Sequence, residues 1–161
     1  MFPLRDENPT ARLTWMTWLL LAANAAVFGY ETWLTYIAGG QAFEAFIVAN
    51  AFVPARFLAS PFSPREWITI FTAMFMHAGW LHVGGNMLYL WICGNNVEDR
   101  LGSWRFLGLY LACGLVATLA QLVVAPGSTV PNLGASGAVA GVLAAYLLLY
   151  PRAGVVTAIF V

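Results

Sequence analysis

Long stretches without a charged side chain limit what this sequence can fold into. Three such runs cover residues 13–30, 67–97 and 106–151, with 18, 31 and 46 residues. An apolar run of about 18 residues is just long enough for one helix across a hydrocarbon core of about 30 Å. A charge at the bilayer centre costs roughly 2.5 kcal/mol or more, so charges should mark the ends of membrane spans. The runs therefore predict helices that cross a membrane.

The composition supports this prediction and excludes several other classes. Charged residues make up 9% of the chain and hydrophobic residues 61%, whereas soluble domains are roughly 25% charged. So few charges exclude a soluble globule and a disordered chain, and a net charge of zero leaves no basic patch for nucleic acid. Cys93 and Cys113 are too few for a disulfide framework and should be small buried side chains. We therefore expect an all-α membrane protein in contact with the lipid bilayer.

Helix-breaking residues divide the longer runs. A single helix of 31 residues would reach about 46 Å, which is too long for one crossing. Gly79 and Gly84 instead indicate a shallow interfacial helix at 67–76 followed by a span. We predict a cytosolic segment at 1–12, a long, partly embedded loop at 32–66, four full transmembrane helices at about 13–30, 81–97, 106–124 and 136–150, and the start of a fifth at 155–161.

The arginines predict the orientation. If four spans alternate, five arginines lie on the side of the N-terminus and two on the other, which places the N-terminus in the cytosol of what we expect to be a prokaryotic cell membrane. The alternative is a cleaved signal peptide that ends near Ala25, although the apolar character continues past that site. The two groups are Arg5, Arg12, Arg100, Arg105 and Arg152, and Arg56 and Arg65.

Three polar residues lie inside predicted spans, where they are functional candidates by default. His82 is 15 residues from the cytosolic end of its span and Ser136 is 14 residues from the end of its own, which places both at a depth of about 21–22 Å. Asn86 follows His82 by one helical turn, so both present hydrogen-bond donors on one face. A serine with such donors is the inventory of acyl-transfer chemistry. Ser136 would also begin a helix, where backbone N–H groups favour negative charge.

Structural interpretations of the same residues remain open. Gly137 and Gly141 form a small-residue face typical of helix packing, so Ser136 could be a packing residue. We expect that face to need a helix that these residues do not include. His82 and Asn86 could satisfy loop backbone, and His77, in the turn before the span, should be structural. The segment 98–100 should be a solvated cytosolic turn. No metal ligand set and no cofactor motif is apparent.

Taken together, the motifs resemble those of the rhomboid intramembrane serine proteases. His77, His82 and Asn86 form an H-x-x-x-x-H-x-x-x-N pattern, and residues 134–137 form G-x-S-G. Residues 94–102 and 150–153 also resemble the family at the ends of two helices. The resemblance extends over the chain after residue 11, in the same order and spacing. None of these motifs is specific alone, but together they are.

The resemblance implies a six-helix bundle whose short fourth helix presents Ser136 as nucleophile to a water-filled cavity. His82 and Asn86, with backbone N–H groups at Ser136 and Gly137, would stabilise the oxyanion. His77 would hold the first loop, and Gly134 and Gly141 would be structural. Substrates would be single-span membrane proteins cleaved within their transmembrane segments, and no metal or cofactor would be needed.

The chain departs from the family pattern in two ways. A Trp-Arg pair common in the first loop is not present, because Ile68 follows Trp67, which concerns the anchoring of the loop. The family's general base is a histidine on the sixth helix, in an A-H-x-x-G setting, whereas this chain ends at Val161 and its two histidines match other roles. A serine without a base is a poor nucleophile. We therefore predict an intramembrane serine endopeptidase whose 161 residues alone do not cleave.

Three alternatives remain. The chain could be a rhomboid-like pseudoprotease that binds transmembrane clients without cleavage, although such a protein has no need of Ser136, His82 and Asn86. It could be a small transporter or channel subunit, which should carry paired ionisable groups near the middle of the membrane. Finally, His82 itself could be the base for Ser136, although nothing in the sequence orients its ring toward that role.

Overall fold

Helices make up most of the chain in the computed structural model, which describes residues 2–158. A π-helical turn, Leu34–Ala38, extends the first helix, and a 3₁₀ turn, Ala73–Phe75, extends the fourth. The predicted all-α bundle is confirmed. The elements of this range are β1 (Phe2–Asp6), α1 (Trp15–Trp33), α2 (Gly40–Asn50), α3 (Pro54–Ala59), α4 (Pro64–Thr72), α5 (Trp80–Leu101), α6 (Ser103–Val124), α7 (Ser136–Leu149) and β2 (Val155–Ala158).

The four long helices α1, α5, α6 and α7 lie over the four predicted spans. Within the described range, one helix, α6, is long and apolar enough to cross a membrane, and α7 is apolar but shorter. The number of spans therefore stays a prediction. Helix α5 continues past the predicted end at 97 to Leu101, where Gly102 adopts a φ of 82° and separates it from α6 by one residue. Only glycine adopts such a φ without strain, so this residue makes a sharp joint possible.

The small-residue face of α7 packs against α6. A Cβ atom built on Gly137 would overlap the side chain of Ala117, and one built on Gly141 would overlap Cys113. The two glycines and their two partners are each four residues apart, so the helices lie close over one full turn. The expectation that this face lacks its partner helix is wrong, because α6 already fills that position. Because glycine has no side chain, the two helix backbones can approach closely and gain van der Waals contact. In lipid this contact matters, because hydrophobic burial contributes little to helix association there.

The connection between α1 and α5 is folded and not a free linker. Side chains of α3, α4 and the segments next to them form a second, smaller core that packs against α6. Its buried residues are Phe52, Phe57, Ile70, Ala73 and Met74. Arg56 anchors this connection, in which the Trp-Arg pair common in the family is not present. The Arg56 guanidinium donates to Glu66 Oε2 at 2.9 Å and to the carbonyl oxygens of Val48 and Ala51, each at 2.6 Å.

The acidic residue at the end of α5 is buried, so the expectation of a solvated turn at 98–100 is wrong for Glu98. Glu98 is 2% exposed. Its carboxylate accepts hydrogen bonds from the backbone N–H groups of Met16 and Thr17 and from the hydroxyls of Thr17 and Ser103, at 2.6–3.0 Å. The first N–H groups of a helix have no partner within the helix, so a carboxylate there completes them. Glu98 thus joins the start of α1 to the end of α5.

The apolar run predicted to begin a fifth span starts as a strand. Strand β2, Val155–Ala158, pairs with β1, Phe2–Asp6, in antiparallel orientation with an irregularity between Pro3 and Arg5. Residues 155–157 are Val, Val and Thr, and β-branched side chains favour strands over helices. The remaining three residues of the predicted segment, 159–161, lie outside the described range.

Candidate active site

Ser136 is the first residue of α7 and is exposed to a polar cavity. Residues from α6 and from the connection before α7 form the walls of this cavity, which has a volume of about 210 Å³. Its polar side chains are Thr118, Gln121 and Asn132. A cavity of this size and polarity can hold water next to the serine hydroxyl. The lining residues are Met74, Gly114, Ala117, Thr118, Gln121, Asn132, Gly134, Ser136 and Gly137.

The connection that leads into Ser136 is tied to the first connection by backbone hydrogen bonds. In this connection Ser128 makes one such bond, Asn132 makes two, and Gly134, two residues before Ser136, makes one. Their partners lie in the residue pair before α3, in the first turn of α3 and in the 3₁₀ turn after α4. These bonds are Ala55 N to Ser128 O at 3.0 Å, Phe52 N to Asn132 O at 3.2 Å, Asn132 N to Phe52 O at 2.7 Å, and Gly134 N to Ala73 O at 2.8 Å.

Gly134 brings His82 close to the start of α7. A Cβ atom built on Gly134 would lie 2.6 Å from His82 Cε1 and 2.8 Å from His82 Nε2. Gly134 also has a φ of 124°, a value that side-chain-bearing residues rarely adopt. The imidazole therefore packs directly on the backbone two residues before Ser136. The N-terminal ends of α5 and α7 meet here, and both helix dipoles favour negative charge at this point.

Asn86, one turn below His82, has a free donor. Its side chain is 8% exposed, and its Nδ2 atom has no hydrogen-bond partner among the described residues. Buried polar atoms nearly always have a partner, so an unused one needs an explanation. A donor that is saved for charge formed during a reaction is one such explanation.

His77 lies beside His82 but is held by its backbone. Its N–H donates to Glu31 Oε2 at 3.1 Å, while its ring nitrogens have no partner within the described part of the chain. The two histidine rings pack edge to face, with centroids 5.1 Å apart and planes at 71°. Burial, with a smaller contribution from the neighbouring His82, lowers the pKa of His77 from 6.5 to about 4, so the ring is neutral at pH 7. In the sequence Glu31 only ends a charge-free run, and no sequence pattern indicates its contact with His77.

The structure brings the His82 ring to Gly134, but neither His82 nor Asn86 lines the cavity beside Ser136. In the part of the chain that the structure describes, no hydrogen bond connects the Ser136 hydroxyl to either histidine. The ring of His82 packs on Gly134, and the ring of His77 packs against Phe28 and His82. Neither imidazole therefore has the position of a general base in this arrangement. The roles of the site residues stay predictions.

Known proteins resemble this chain over the region that holds the site. Residues 64–161 match the Rhomboid domain family. The rhomboid protease GluP of Bacillus subtilis is 43% identical over 82 residues, which cover 51% of this chain and 16% of that protein. The mitochondrial presenilin-associated rhomboid-like protein A of Danio rerio is 34% identical over 104 residues, 63% of this chain and 27% of that protein. The mitochondrial rhomboid protein 1 of Saccharomyces cerevisiae is 34% identical over 97 residues, 58% and 28% of the two chains.

These matches cover only 16–28% of the length of the relatives just named. The family match itself spans more than half of this chain and includes α4 to α7, together with both histidines and the G-x-S-G segment. The chain therefore belongs to the rhomboid family.

Proposed function

We propose that this chain carries the nucleophile and the oxyanion-binding residues of a serine endopeptidase that cleaves transmembrane segments of membrane proteins. Rhomboid proteins are integral membrane proteins and generally intramembrane serine proteases. The observation that carries the proposal is the contact between the His82 ring and Gly134, because it sets a donor-bearing side chain against the backbone that leads into Ser136. The accessible polar cavity beside Ser136 supports it.

In the proposed reaction, Ser136 Oγ attacks the scissile carbonyl carbon and the carbonyl oxygen becomes an oxyanion. The Asn86 amide, the His82 ring and the N–H groups at the start of α7 lie at one end of the bundle as candidate donors to that oxyanion. Removing one such donor typically lowers kcat by about 10²–10³. When the tetrahedral intermediate collapses, the C–N bond breaks and the amine leaves as the first product, with the proton that the base took from the serine. Water in the cavity then attacks the acyl-enzyme, its ester bond breaks, and the carboxylic acid leaves as the second product while Ser136 regains its proton.

The attack also requires a base that accepts the proton of the hydroxyl. We propose that neither histidine of this sequence has that role, because one ring packs on Gly134 and the other has no contact with Ser136. These 161 residues alone should not cleave. A further segment with a histidine on a sixth helix, as the family resemblance implies, should complete the site.

A reporter cleavage assay in liposomes tests the proposal. The reporter is a single transmembrane helix, and the chain is compared with a longer form that contains the histidine-bearing helix. We expect cleavage by the longer form only. Ser136→Ala should abolish it, with a loss of up to about 10⁶-fold, and Ser128→Ala, in the same connection, should leave it intact.

Retained cleavage in Ser136→Ala would refute the assignment of the nucleophile. Reporter binding without cleavage by the longer form would instead support a rhomboid-like pseudoprotease. We also propose that the site opens on the side of the membrane opposite the N-terminus. Under the predicted topology, five of the seven arginines lie on the same side as the N-terminus, which makes that side cytosolic. Labelling of single cysteines from either side of the membrane tests this orientation.

A further inference from the structure

A second cavity lies beside His77 and outside the proposed catalytic machinery. Its volume is about 190 Å³, and it lies between the end of α1, the start of α2 and the turn before α5. Two buried titratable side chains line it, Glu31 and His77, and each is 2% exposed. The remaining lining residues are Phe28, Thr32, Thr35, Tyr36, Phe43, Ala78, Gly79 and Trp80.

Three buried polar atoms on these two side chains have no partner among the described residues. They are Glu31 Oε1, His77 Nδ1 and His77 Nε2. Leaving such a group without a hydrogen bond costs about 1–3 kcal/mol. The two threonine hydroxyls of the cavity donate to carbonyl groups of their own helix, so they offer only acceptor capacity. Protein groups alone therefore do not complete this cluster.

Ordered water is the ligand that fits this cavity. Most of the cavity lining is apolar, but a volume of about 190 Å³ leaves room for several waters beside the two buried polar side chains, at roughly 30 Å³ each. A neutral imidazole has one N–H donor and one acceptor nitrogen, and water can serve both and also bond to the carboxyl oxygen. Such a cluster would join the Glu31 side chain to the His77 ring.

The same two residues are also joined directly, and their influence reaches His82. Glu31 Oε2 accepts the backbone N–H of His77 at 3.1 Å. The His77 ring then meets the His82 ring edge to face, and the His82 ring packs on Gly134. A displacement of His77 would therefore change the position of the imidazole beside the start of α7.

We propose that Glu31 is a positioning residue of the rhomboid site: its carboxyl group holds His77 by the backbone N–H and, through water in this cavity, by the ring, and His77 holds His82 against Gly134. The consequence for cleavage rests on the proposed function. The structural part does not, because it concerns the surroundings of two imidazole rings.

Nitrogen-15 NMR of histidine-labelled protein in nanodiscs tests the structural part. The sequence has two histidines, so the imidazole spectrum contains two sets of signals and one His77→Asn variant assigns them. Glu31→Gln keeps an acceptor for the His77 N–H but replaces one carboxyl oxygen with an amide. Glu31→Leu removes both interactions. Glu44→Gln, at an exposed position of α2, is the matched control.

We expect Glu31→Gln to shift the His77 signals, Glu31→Leu to shift those of both histidines, and Glu44→Gln to shift neither. A variant that destabilises the far end of α5, Glu98→Ala, should also leave both sets unchanged, which separates positioning from general loss of stability. If Glu31→Leu does not fold, the Gln variant decides. Unchanged His77 signals in Glu31→Gln, or a folded Glu31→Leu variant with unchanged His82 signals, would overturn the proposal.

In the longer, cleaving form, Glu31→Gln should lower kcat/KM about 10- to 100-fold, as expected for a small displacement of a catalytic group. The two proposals fail separately. Retained cleavage in Ser136→Ala would refute the catalytic assignment without changing the NMR result, and unchanged imidazole signals would refute the role of Glu31 without affecting Ser136.

Discussion

Replacement of Gly134 by alanine should destabilise the protein through two independent effects. The φ of 124° is unfavourable for any residue with a Cβ, at a cost of roughly 1–3 kcal/mol. The new methyl group would also lie 2.6 Å from His82 Cε1, about 1 Å inside the usual carbon–carbon contact distance of roughly 3.5 Å. Relief of such overpacking costs about 1–3 kcal/mol. The expected loss of unfolding free energy is therefore about 2–6 kcal/mol.

Reversible unfolding in mixed micelles, followed by helical circular dichroism, measures this loss. Gly127→Ala is the matched control, because it lies in the same connection, its φ is not in the left-handed region and no atom lies within 4 Å of its built Cβ. The control should change stability by less than about 0.5 kcal/mol. In the longer, cleaving form, Gly134→Ala should also lower kcat/KM by up to about 10²-fold, because His82 must move.

A double variant separates the two effects. In Gly134→Ala with His82→Ala, the imidazole no longer overlaps the methyl group, while the backbone strain remains. We expect a coupling energy of about 1–3 kcal/mol between the two substitutions. The reasoning is refuted if Gly134→Ala is as stable as Gly127→Ala, or if the two substitutions at 134 and 82 are additive.

Three further predictions concern the packing around the site. Glu98→Ala should lower the unfolding free energy by about 2–4 kcal/mol, because it leaves buried donors at the start of α1 without a partner. Glu44→Ala, at an exposed position, should have little effect on the unfolding free energy. Equal losses in the two variants would contradict this prediction. Arg56→Lys should speed amide hydrogen exchange over 48–66, because an ammonium group cannot replace a guanidinium at three acceptors, whereas exchange should be unchanged in the exposed Arg65→Lys. Gly141→Ala should lower the thermal midpoint by forcing α7 away from α6, and an unchanged midpoint would mean that the two helices are not in close contact.

The positions of the long helices could be predicted because burial of charge is costly. The limits of the charge-free runs lie within a few residues of both ends of α1, of the start of α6 and of the end of α7. Depth arithmetic likewise placed His82 and Ser136 at one level, and His82 does pack on the backbone two residues before Ser136. Helix rise is constant, so relative depth can be calculated from sequence spacing alone.

Interactions between distant segments could not be predicted in the same way. Glu31 follows a charge-free run and Glu98 lies among three charged residues, so both had the pattern of a solvated boundary. Each is buried with its carboxyl group against N–H groups from elsewhere in the chain. Glu31 accepts from the N–H of His77, and Glu98 accepts from the N–H groups of Met16 and Thr17. Hydrophobic periodicity contains no information about which distant donor will complete a carboxylate.

The hydrogen bonds between the first connection and the segment before α7 have a mechanical consequence. Four backbone hydrogen bonds along residues 128–134 connect the segment that leads into Ser136 with residues 52–73. If residues 32–66 are partly embedded in the bilayer, as predicted, a change in bilayer thickness that tilts them would also tilt the first turn of α7. The height of the serine hydroxyl would then follow the lipid surface and not the bundle alone. Under the proposed function, the position of the cut in a substrate helix would vary with the length of the acyl chains.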